Sequence, residues 1–475
     1  MKLKNLLNGL NILYAPSNKN IDILNIANST KDVTEGTLFF CLKGQKVDGH
    51  TLKKEAQNLG AICFIVEKYD ECFNGMQIVV DDARASLSIV CANFFKHKTS
   101  LKIIGITGTN GKTTTTHMLA NILECANKKV GIIGTEGVKY NGDVIKFNMT
   151  TPDPIELFKT LKHMSEQQIE YVVMEVSAHA IYLNKIHALK FLAKGLTNIT
   201  EDHLDFFESM ENYSKTKLNF LNQSNCKKVV NIDDERGYKL SLKNKDVYTY
   251  SLISDADAVA FGLSDDCSEY KISLFNKELS FSTNTIARYN VENALCAVLI
   301  AKLIGIKEKC IINGINTFKS VDGRLNVYKK QDKTAIIDFA HTPDALKKVL
   351  TNVRPFVKNK LICVFGCGGN RDSTKRKHMG EVASMLADLV IITNDNPRYE
   401  EPMQIAKDIE KGIKTSNYEI ILNRNKAVEK AVKQMQDGDV LVLCGKGTEN
   451  YIEINGEKQP YLDKNEVLKW GFKEQ

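Results

Sequence analysis

The stretch Gly105–Thr116, GITGTNGKTTTT, decides how this sequence folds. The apolar residues Leu101–Ile106 lead into it and predict a buried strand, and Thr113–Cys125 has the composition of a helix. Glycines between a parallel strand and a helix let backbone N–H groups turn toward phosphate oxygens, and the helix N-terminus adds partial positive charge. The stretch therefore predicts a phosphate-binding loop in an α/β fold.

The loop departs from the commonest spacing of such loops. In G-x-x-x-x-G-K-[ST] the first glycine would stand where this chain has Ile106. Lys112 can nevertheless reach the outer phosphates, and Thr113 can offer its hydroxyl to Mg²⁺. The alternative is a tight turn capped by a threonine, but the order of strand, two glycines, lysine, threonine and helix favours nucleotide binding.

Composition excludes several classes of protein. The chain has 475 residues, of which 43% are hydrophobic, and no run of eighteen apolar residues predicts a membrane span. The twelve cysteines form no C-x-x-C pair, which indicates reduced thiols rather than a disulfide framework or a zinc site. A formal charge of +7 from 64 basic and 57 acidic residues is too mild to indicate nucleic-acid binding. We expect a cytoplasmic monomer that acts on small molecules, without membrane insertion.

Apolar runs alternate with helix-length segments along the whole chain, which predicts parallel sheets. We predict three domains, at residues 1–99, 100–323 and 324–475. The predicted strands of the first domain are Gly36–Leu42, Ala61–Glu67 and Met76–Val80. Those of the second begin with Leu101–Ile106, Lys129–Gly134, Tyr171–Val176, Phe191–Ile199 and Lys227–Asp233, followed by a strand-rich patch at Tyr270–Thr283. The third has the pattern of an open, Rossmann-like α/β sheet.

Polar residues follow two of these strands. Glu175 stands at the carboxyl end of Tyr171–Val176, where a parallel sheet presents ligand-binding residues and a carboxylate can bind Mg²⁺. The next strand leads into a predicted loop with Asp202, His203 and Asp205. An acid at a helix start and a structural histidine are the alternatives.

Four segments together resemble one family. The segments GTNGKTT, MEVSAHA (174–180), TNITEDHLD (197–205) and the Y-x-x-x-K pattern of Tyr213 and Lys217 resemble, in order and spacing, the central domain of the Mur ligases. These are ATP-dependent ligases that form amide bonds, and folylpolyglutamate synthases share the loop. The resemblance implies a small N-terminal UDP-binding domain, a central P-loop domain and a C-terminal domain that binds an amino acid.

The resemblance also assigns roles around the loop. It implies ATP contacts from Gly108, Thr109, Asn110, Gly111, Lys112, Thr113, Thr114 and Asn290. Lys217 would be carbamylated by CO₂, which turns a cation that repels Mg²⁺ into an anionic ligand. Thr113 and Glu175 would bind one Mg²⁺, and His203 with the carbamate of Lys217 a second. Lys112, Lys217, Glu175 and His203 are the implied catalytic residues.

Motifs in the C-terminal third indicate which amino acid is the substrate. The motifs IDFAHTPDAL, VFGCGGNRDSTKR, TNDNPRYEEP and GKGTENY occur in that order and resemble the family members that add the third residue of the muramyl peptide, meso-diaminopimelate or L-lysine. The D-N-P-R form resembles the diaminopimelate-adding subgroup. The implied contacts are Arg371, Asp395, Asn396, Pro397, Arg398, Gly445 and Glu449. Arg398 can bind the distal carboxylate of diaminopimelate in bidentate fashion, and with L-lysine it would lose that partner at a cost of about 2–4 kcal/mol.

The UDP-muramyl dipeptide would be bound through residues in the first half of the chain. The resemblance implies Thr30, Thr150, Thr151, Ser177 and Lys185. Thr30 stands where the family usually has serine, and Lys185 where it has arginine. The predicted reaction adds meso-diaminopimelate to UDP-N-acetylmuramoyl-L-alanyl-D-glutamate through an acyl phosphate. The alternatives are the same reaction with L-lysine, a folylpolyglutamate synthase-like ligase, and a P-loop binding protein without ligase activity.

Overall fold

The structure is a computed structural model that describes residues 1–44, 47–96, 101–147, 149–223, 225–265, 267–283 and 285–474. It divides into two compact units. Unit 1 comprises residues 1–107, 127–195 and 216–228, and unit 2 comprises residues 108–126, 196–215 and 229–475. The predicted domain limit at 99/100 lies outside the described residues.

The first part of unit 1 is a small α/β sheet. Its elements are α1 (Leu3–Leu6), β1 (Ile12–Tyr14), β2 (Asn25–Ala27), β3 (Thr37–Phe40), α2 (Lys53–Asn58), β4 (Ala61–Val66), β5 (Met76–Val80) and α3 (Ala83–Phe94). The strand order is β1-β5-β4-β3-β2, with β1 antiparallel and the rest parallel. Buried Phe39, Phe64 and Phe73 lie in its core, with Phe73 edge-on to Phe64.

The chain continues into a second sheet, whose first strand leads into the phosphate-binding loop. The elements are β6 (Lys102–Thr107), α4 (Lys112–Cys125), β7 (Val130–Gly134), β8 (Gly137–Tyr140), β9 (Asp143–Ile145), α5 (Pro154–Glu166), β10 (Tyr171–Glu175), α6 (Ala178–Tyr182), β11 (Phe191–Leu196), α7 (Leu204–Phe207), α8 (Met210–Asn222) and β12 (Lys227–Asn231). In unit 1 the order is β11-β6-β10-β7-β8-β9. Because β10 is parallel to β6, with Glu175 opposite Ile106, Glu175 and the start of the loop lie at the same edge of the sheet.

The next part of unit 2 contains four strands and three helices, and the last two of these helices pack on α4. These elements are α9 (Glu235–Lys243), β13 (Val247–Ser251), β14 (Ala258–Phe261), β15 (Glu269–Leu274), β16 (Lys277–Ser282), α10 (Arg288–Leu303) and α11 (Glu308–Asn316). The amide of Asn121 in α4 donates to the Gly314 carbonyl of α11 at 2.6 Å. α10 is buried along most of its length, which fixes the side chains below the loop.

The rest of unit 2 contains a sheet with helices on both faces and a separate hairpin of two strands. Its elements are β17 (Asn326–Lys330), β18 (Lys333–Asp338), α12 (Pro343–Val353), β19 (Leu361–Phe365), α13 (Thr374–Leu386), β20 (Leu389–Ile392), α14 (Pro402–Glu410), β21 (Tyr418–Ile420), α15 (Arg424–Gln434), β22 (Val440–Cys444), β23 (Tyr451–Ile454), β24 (Glu457–Pro460), α16 (Asp463–Lys469) and β25 (Lys473–Glu474). The order is β21-β20-β19-β22-β18-β17-β25, parallel from β21 to β18. Successive residues of β19 belong to two different cores, Cys363 to one and Val364 to the other, because strand side chains alternate between faces.

The predicted α/β class with mainly parallel strands is confirmed, and Met76–Val80 and Pro343–Val353 have the predicted bounds. One expectation about a loop was wrong, and several predicted strands end earlier than expected. Asp205 is not on a loop but inside α7. This helix begins directly after His203, whose backbone is in the left-handed conformation (φ +55°). The strand Phe191–Ile199 ends at Leu196, because the next residues bond to the phosphate-binding loop. All twelve cysteines are free thiols. In the described residues, none of the helices is long and apolar enough to cross a membrane.

Candidate active site

The phosphate-binding loop in unit 2 is shaped by neighbouring backbone and asparagine groups. The Thr109 N–H donates to the Asn198 carbonyl at 2.8 Å, and the Asn110 N–H to the Asn198 side chain at 2.9 Å. Gly111 has φ +83° and precedes α4 directly, and a Cβ there would lie 2.2 Å from Asn293 Oδ1. Glycine is therefore required at this position both by conformation and by space.

The side chains of the loop surround the helix N-terminus. Lys112 Nζ donates to the carbonyls of Gly108 (2.9 Å) and Thr109 (2.8 Å), which places the ammonium over the loop. Thr113 and Thr114 are buried at the first turn of α4, and Thr113 Oγ1 accepts from Arg324 at 3.4 Å. A lysine and a threonine therefore lie together at the N-terminus of α4, as a phosphate and Mg²⁺ site requires.

Asn290, the predicted base contact, lies in α10. Its amide donates to the Ile286 carbonyl at 2.8 Å, and it lines a cavity of about 1050 Å³ together with Thr285, Ser320 and Leu325. This volume is of the size that small-molecule sites have. Asn293, one turn further on, accepts from Thr115 at 3.3 Å and was missed by sequence reasoning.

The segment after β11 contains Asp202, whose carboxylate is surrounded by basic side chains. Burial alone would raise the pKa of Asp202, but His203, His341, Lys375 and Lys112 hold it below its ordinary value. His203 Nε2 lies 3.4 Å from Asp202 Oδ2. The histidine ring is thus oriented by a carboxylate, as metal-binding histidines commonly are.

Asp344 was missed as a site residue, although its motif HTPDAL was singled out. Its Oδ2 accepts from Asn110 Nδ2 at 2.9 Å and from the Thr200 hydroxyl at 3.2 Å. It therefore links the start of α12 to the phosphate-binding loop. In the same motif, burial raises the pKa of Asp338, whose carboxylate accepts from the N–H groups of Leu325 and Ala340. Burial and Lys375 lower the pKa of His341.

In unit 1 the structure brings Glu175 together with three predicted substrate residues. Glu175 is 1% exposed, and its two carboxylate oxygens accept from the N–H (2.9 Å) and hydroxyl (3.1 Å) of Thr135. The Thr135 hydroxyl also pairs with that of Thr150 at 3.1 Å. Thr151 donates to the Glu175 carbonyl at 3.0 Å and accepts from the N–H of Ser177 at 3.1 Å. Thr135, which sequence reasoning missed, therefore fixes the carboxylate that is predicted to bind metal.

The remaining predicted residues of unit 1 occupy separate settings. Lys185 is buried and pairs with Asp153 at 2.8 Å. Thr30 begins a short 3₁₀ helix that Ser29 caps. Lys217 lies in α8 and is 1% exposed.

No three His, Cys, Asp or Glu side chains in the described part of the chain converge as a metal site. The donors predicted for Mg²⁺ nevertheless suit this ion. Glu175 is a buried carboxylate with a fixed orientation, and Thr113 offers a hydroxyl oxygen, both hard ligands. Lys217, the residue predicted to carry the carbamate, is buried in α8.

The predicted amino-acid residues come together at the carboxyl ends of β20 and β22. Arg398 is left-handed (φ +52°), its Nη1 donates to the Gly369 carbonyl at 2.7 Å, and its Nε lies 3.5 Å from Glu453 Oε2. Its N–H donates to the Glu453 carbonyl at 2.9 Å, so β23 fixes the backbone beside it. Arg371 is exposed, near Gly368. The backbone of Arg398 is thus held by β23, and its side chain by the Gly369 carbonyl.

Asn396 and Glu449 contact each other directly, since Asn396 Nδ2 donates to Glu449 Oε2 at 2.8 Å. Gly445 (φ +104°) follows β22, and a Cβ there would lie 2.6 Å from Asp395 Oδ2. Pro397 stands between Asn396 and Arg398. The two loops after β20 and β22 therefore contact each other, and between them they carry the guanidinium of Arg398 and the carboxylate of Glu449.

Arg424, which was not predicted, contacts the backbone at the start of both loops. Its side chain is fully buried and donates to both oxygens of Asp463, to the Cys444 carbonyl (2.9 Å) and to the Asn394 carbonyl (3.3 Å). Burial alone would lower the pKa of this guanidinium, and Asp463 raises it instead. A lone arginine at the start of a helix gives no signal of this role in sequence.

Comparison with known protein families matches three segments of the chain. Residues 22–98 match the Mur ligase family catalytic domain, residues 106–301 the Mur ligase middle domain, and residues 323–447 the Mur ligase glutamate ligase domain.

Curated relatives match over the full length. A UDP-N-acetylmuramoyl-L-alanyl-D-glutamate--2,6-diaminopimelate ligase of Clostridium acetobutylicum is 40% identical, with 100% of both chains covered. One of the same name from Clostridium botulinum is 38% identical, again with 100% of both covered. A solved structure of a ligase with this name has a TM-score of 0.72 and 27% identity, and covers 99% of this chain and 98% of its own.

Proposed function

The chain belongs to the Mur ligase family, and we propose that it is the ligase that adds meso-diaminopimelate to UDP-N-acetylmuramoyl-L-alanyl-D-glutamate in peptidoglycan synthesis. The observation that carries the proposal is the subsite of Asn396, Arg398 and Glu449. It offers a guanidinium and a carboxylate, which match the carboxylate and the ammonium at the distal end of diaminopimelate. Full-length relatives with this activity in their names support it.

We further propose three domains, at residues 1–99, 100–323 and 324–475. The three segments that match family models support this division. Because ATP and a UDP-linked precursor are its substrates, we assign the reaction to the cytoplasm.

The reaction uses ATP to activate the D-glutamyl carboxylate. A carboxylate oxygen attacks the γ-phosphorus, ADP leaves, and an acyl phosphate forms. The amine of diaminopimelate then attacks the acyl carbon, and phosphate leaves with the formation of the amide. Lys112 and the N-terminus of α4 stabilise the charge on the transferring phosphoryl group.

Magnesium bound here would neutralise the phosphate charge and align the reacting oxygens. Thr113, Glu175, His203 and the carbamate of Lys217 are the residues that would bind it. Glu175 is kept in place by Thr135, and His203 by Asp202. Thr150, Thr151, Ser177 and Lys185 would bind the muramyl dipeptide, and Thr30 the UDP end.

The proposal is tested by incubating the protein with ATP, Mg²⁺, UDP-N-acetylmuramoyl-L-alanyl-D-glutamate and either meso-diaminopimelate or L-lysine. We expect mass spectrometry to show the tripeptide nucleotide with meso-diaminopimelate, together with ADP and phosphate. A product from L-lysine at equal efficiency would reassign the amino acid. Extension of a folate with glutamate instead would favour the folylpolyglutamate synthase alternative. If no product formed at all, the alternative of a P-loop binding protein without ligase activity would be favoured.

Arg398→Ala tests the amino-acid subsite within this reaction. Loss of a buried ion pair worth about 2 kcal/mol or more predicts a rise of about thirtyfold or more in KM for meso-diaminopimelate. The KM for ATP should change by less than about twofold, because the substitution removes no nucleotide contact. Equal losses for both substrates would contradict the assignment of Arg398.

A further inference from the structure

Lys446 is a buried cation inside the proposed amino-acid subsite. It follows Gly445 at the end of β22, and its side chain is 0% exposed. Its Nζ donates to Glu449 Oε2 at 2.7 Å and to Asn396 Oδ1 at 3.0 Å, and lies 5.3 Å from the centre of the Tyr451 ring. Buried charges are kept in proteins when they are paired and hydrogen-bonded, as this one is.

The contacts of Lys446 form a closed triangle. Asn396 Nδ2 donates to the same Glu449 Oε2 at 2.8 Å, and Asn396 Oδ1 accepts a second bond from the Glu453 N–H at 2.9 Å. Both side-chain bonds of Glu449 thus fall on Oε2, and within the described residues Oε1 accepts none. Lys446 therefore fixes the orientation of Glu449 and leaves one carboxylate oxygen for a ligand.

The same pairing sets the charge that a ligand meets. Lys446 and Glu449 together are neutral, so Glu449 offers an acceptor oxygen without a net negative field. A distal head with an ammonium and a carboxylate is neutral and suits this pair, because its carboxylate also meets Arg398. Arg398 is itself paired with Glu453, and Lys446 neutralises Glu449, so a head with an ammonium alone meets no net negative charge and has no carboxylate for Arg398.

We propose that Lys446 is a positioning and specificity-determining residue, which orients Glu449 and makes the subsite select a zwitterionic distal head over a simple ammonium. The inference rests on the proposed function and extends it to a residue that acts through Glu449 and Asn396. The ligands selected on the basis of their charge are diamino acids with a second carboxylate.

The test measures selectivity rather than activity alone. For the full-length enzyme, the KM for meso-diaminopimelate and the inhibition constant of L-lysine against it are measured with ATP, Mg²⁺ and the UDP-muramyl dipeptide. Lys446→Met, which keeps length and removes charge, should raise this KM and tighten L-lysine binding relative to it, so that the ratio of the two constants shifts by about tenfold or more. The KM values for ATP and the dipeptide should stay within about twofold.

If the role of Lys446 were purely structural, its substitution would weaken the binding of both amino acids alike and leave the ratio of the two constants unchanged. Lys458→Met is the matched control, because Lys458 is exposed and lies 4.2 Å from the centre of the same Tyr451 ring. It should change neither constant. Lys446→Arg should keep the wild-type ratio. Lys446→Gln, which keeps a donor without charge, carries the same ratio test if the methionine variant does not fold.

The outcomes separate the two claims. If the wild-type enzyme makes no tripeptide nucleotide, the proposed function fails. If the wild type uses meso-diaminopimelate and neither Lys446→Met nor Lys446→Gln shifts the ratio by more than about twofold, the role of Lys446 is overturned and the function stands.

Discussion

Replacing Arg424 by methionine should destabilise the third sheet and loosen the amino-acid subsite. Methionine preserves the length of the side chain but leaves Asp463 as a fully buried carboxylate whose remaining described side-chain bond comes from the Tyr461 hydroxyl, at 2.6 Å. The carbonyls of Asn394 and Cys444 lose a donor as well. These carbonyls belong to the residues just before Asp395 and Gly445, so the same change reaches both loops of the subsite.

The magnitude follows from the burial of the pair. Removal of one partner from a buried, bidentate ion pair costs about 3–5 kcal/mol, mostly through the unpaired charge that remains. Arg354 and Asp388 form a bidentate pair in the same sheet region, but their side chains are 48% and 35% exposed. Arg354→Met should therefore cost about 1 kcal/mol or less, because exposed pairs are screened by water.

Unfolding by urea, followed by tryptophan fluorescence, measures this difference. The chain has one tryptophan, Trp470, which directly follows α16, the helix that begins at Asp463. The double variant Arg424→Met/Asp463→Leu should regain most of the lost free energy of unfolding, since no unpaired charge remains. A loss in Arg424→Met no larger than in Arg354→Met, or a double variant no more stable than the single one, would refute the reasoning.

Three further predictions concern the nucleotide site, the metal site and pH. Gly111→Ala should weaken ATP binding by about tenfold or more in calorimetry, since its Cβ meets Asn293 Oδ1 at 2.2 Å, whereas Gly142→Ala, also left-handed but in open space, should not. Lys217→Ala should reduce turnover to below about a thousandth, while Lys215→Ala, exposed on the same helix, keeps it; wild-type activity should fall on CO₂ removal and return with bicarbonate. Because burial and Lys375 lower the pKa of His341 from 6.5, the contribution of this residue to the free energy of unfolding is complete above pH 6.5 and decreases as the pH falls below it. A His341→Asn variant should lack that part of the pH dependence in urea unfolding, and an identical pH profile in both proteins would contradict it.

Much of the fold could be predicted from sequence because buried parallel strands are short apolar runs. Met76–Val80 and Tyr171–Glu175 are of this kind, and their apolar pattern can be recognised without knowing which strands lie beside them. The hairpin of β23 and β24 was not predicted, because β24 is exposed and polar throughout. Its place follows from tertiary bonds, such as that from the Arg398 N–H to Glu453, which no local pattern encodes.

The candidate site divides in the same way. Residues at the end of a strand or in the loop after it, such as Glu175 and Asn396, could be predicted because parallel strands present their carboxyl ends at one edge. Thr135 and Asn293 could not, since each contacts its partner from a distant part of the chain. Asp205 was misplaced for a local reason: the left-handed conformation of His203, uncommon for histidine, starts a helix one residue later.

Two of the missed residues share one physical property that makes them informative about specificity. Lys446 and Arg424 are cations without exposed surface, and each is bonded to a carboxylate and to a group of a site loop. A substitution at such a position changes the charge or the orientation of a contacting residue without removing a ligand contact. Its effect should therefore appear in the KM for the amino acid and in the choice between amino acids before it appears in the chemistry of ATP, and this order distinguishes a support of the subsite from a residue of the phosphate-binding loop.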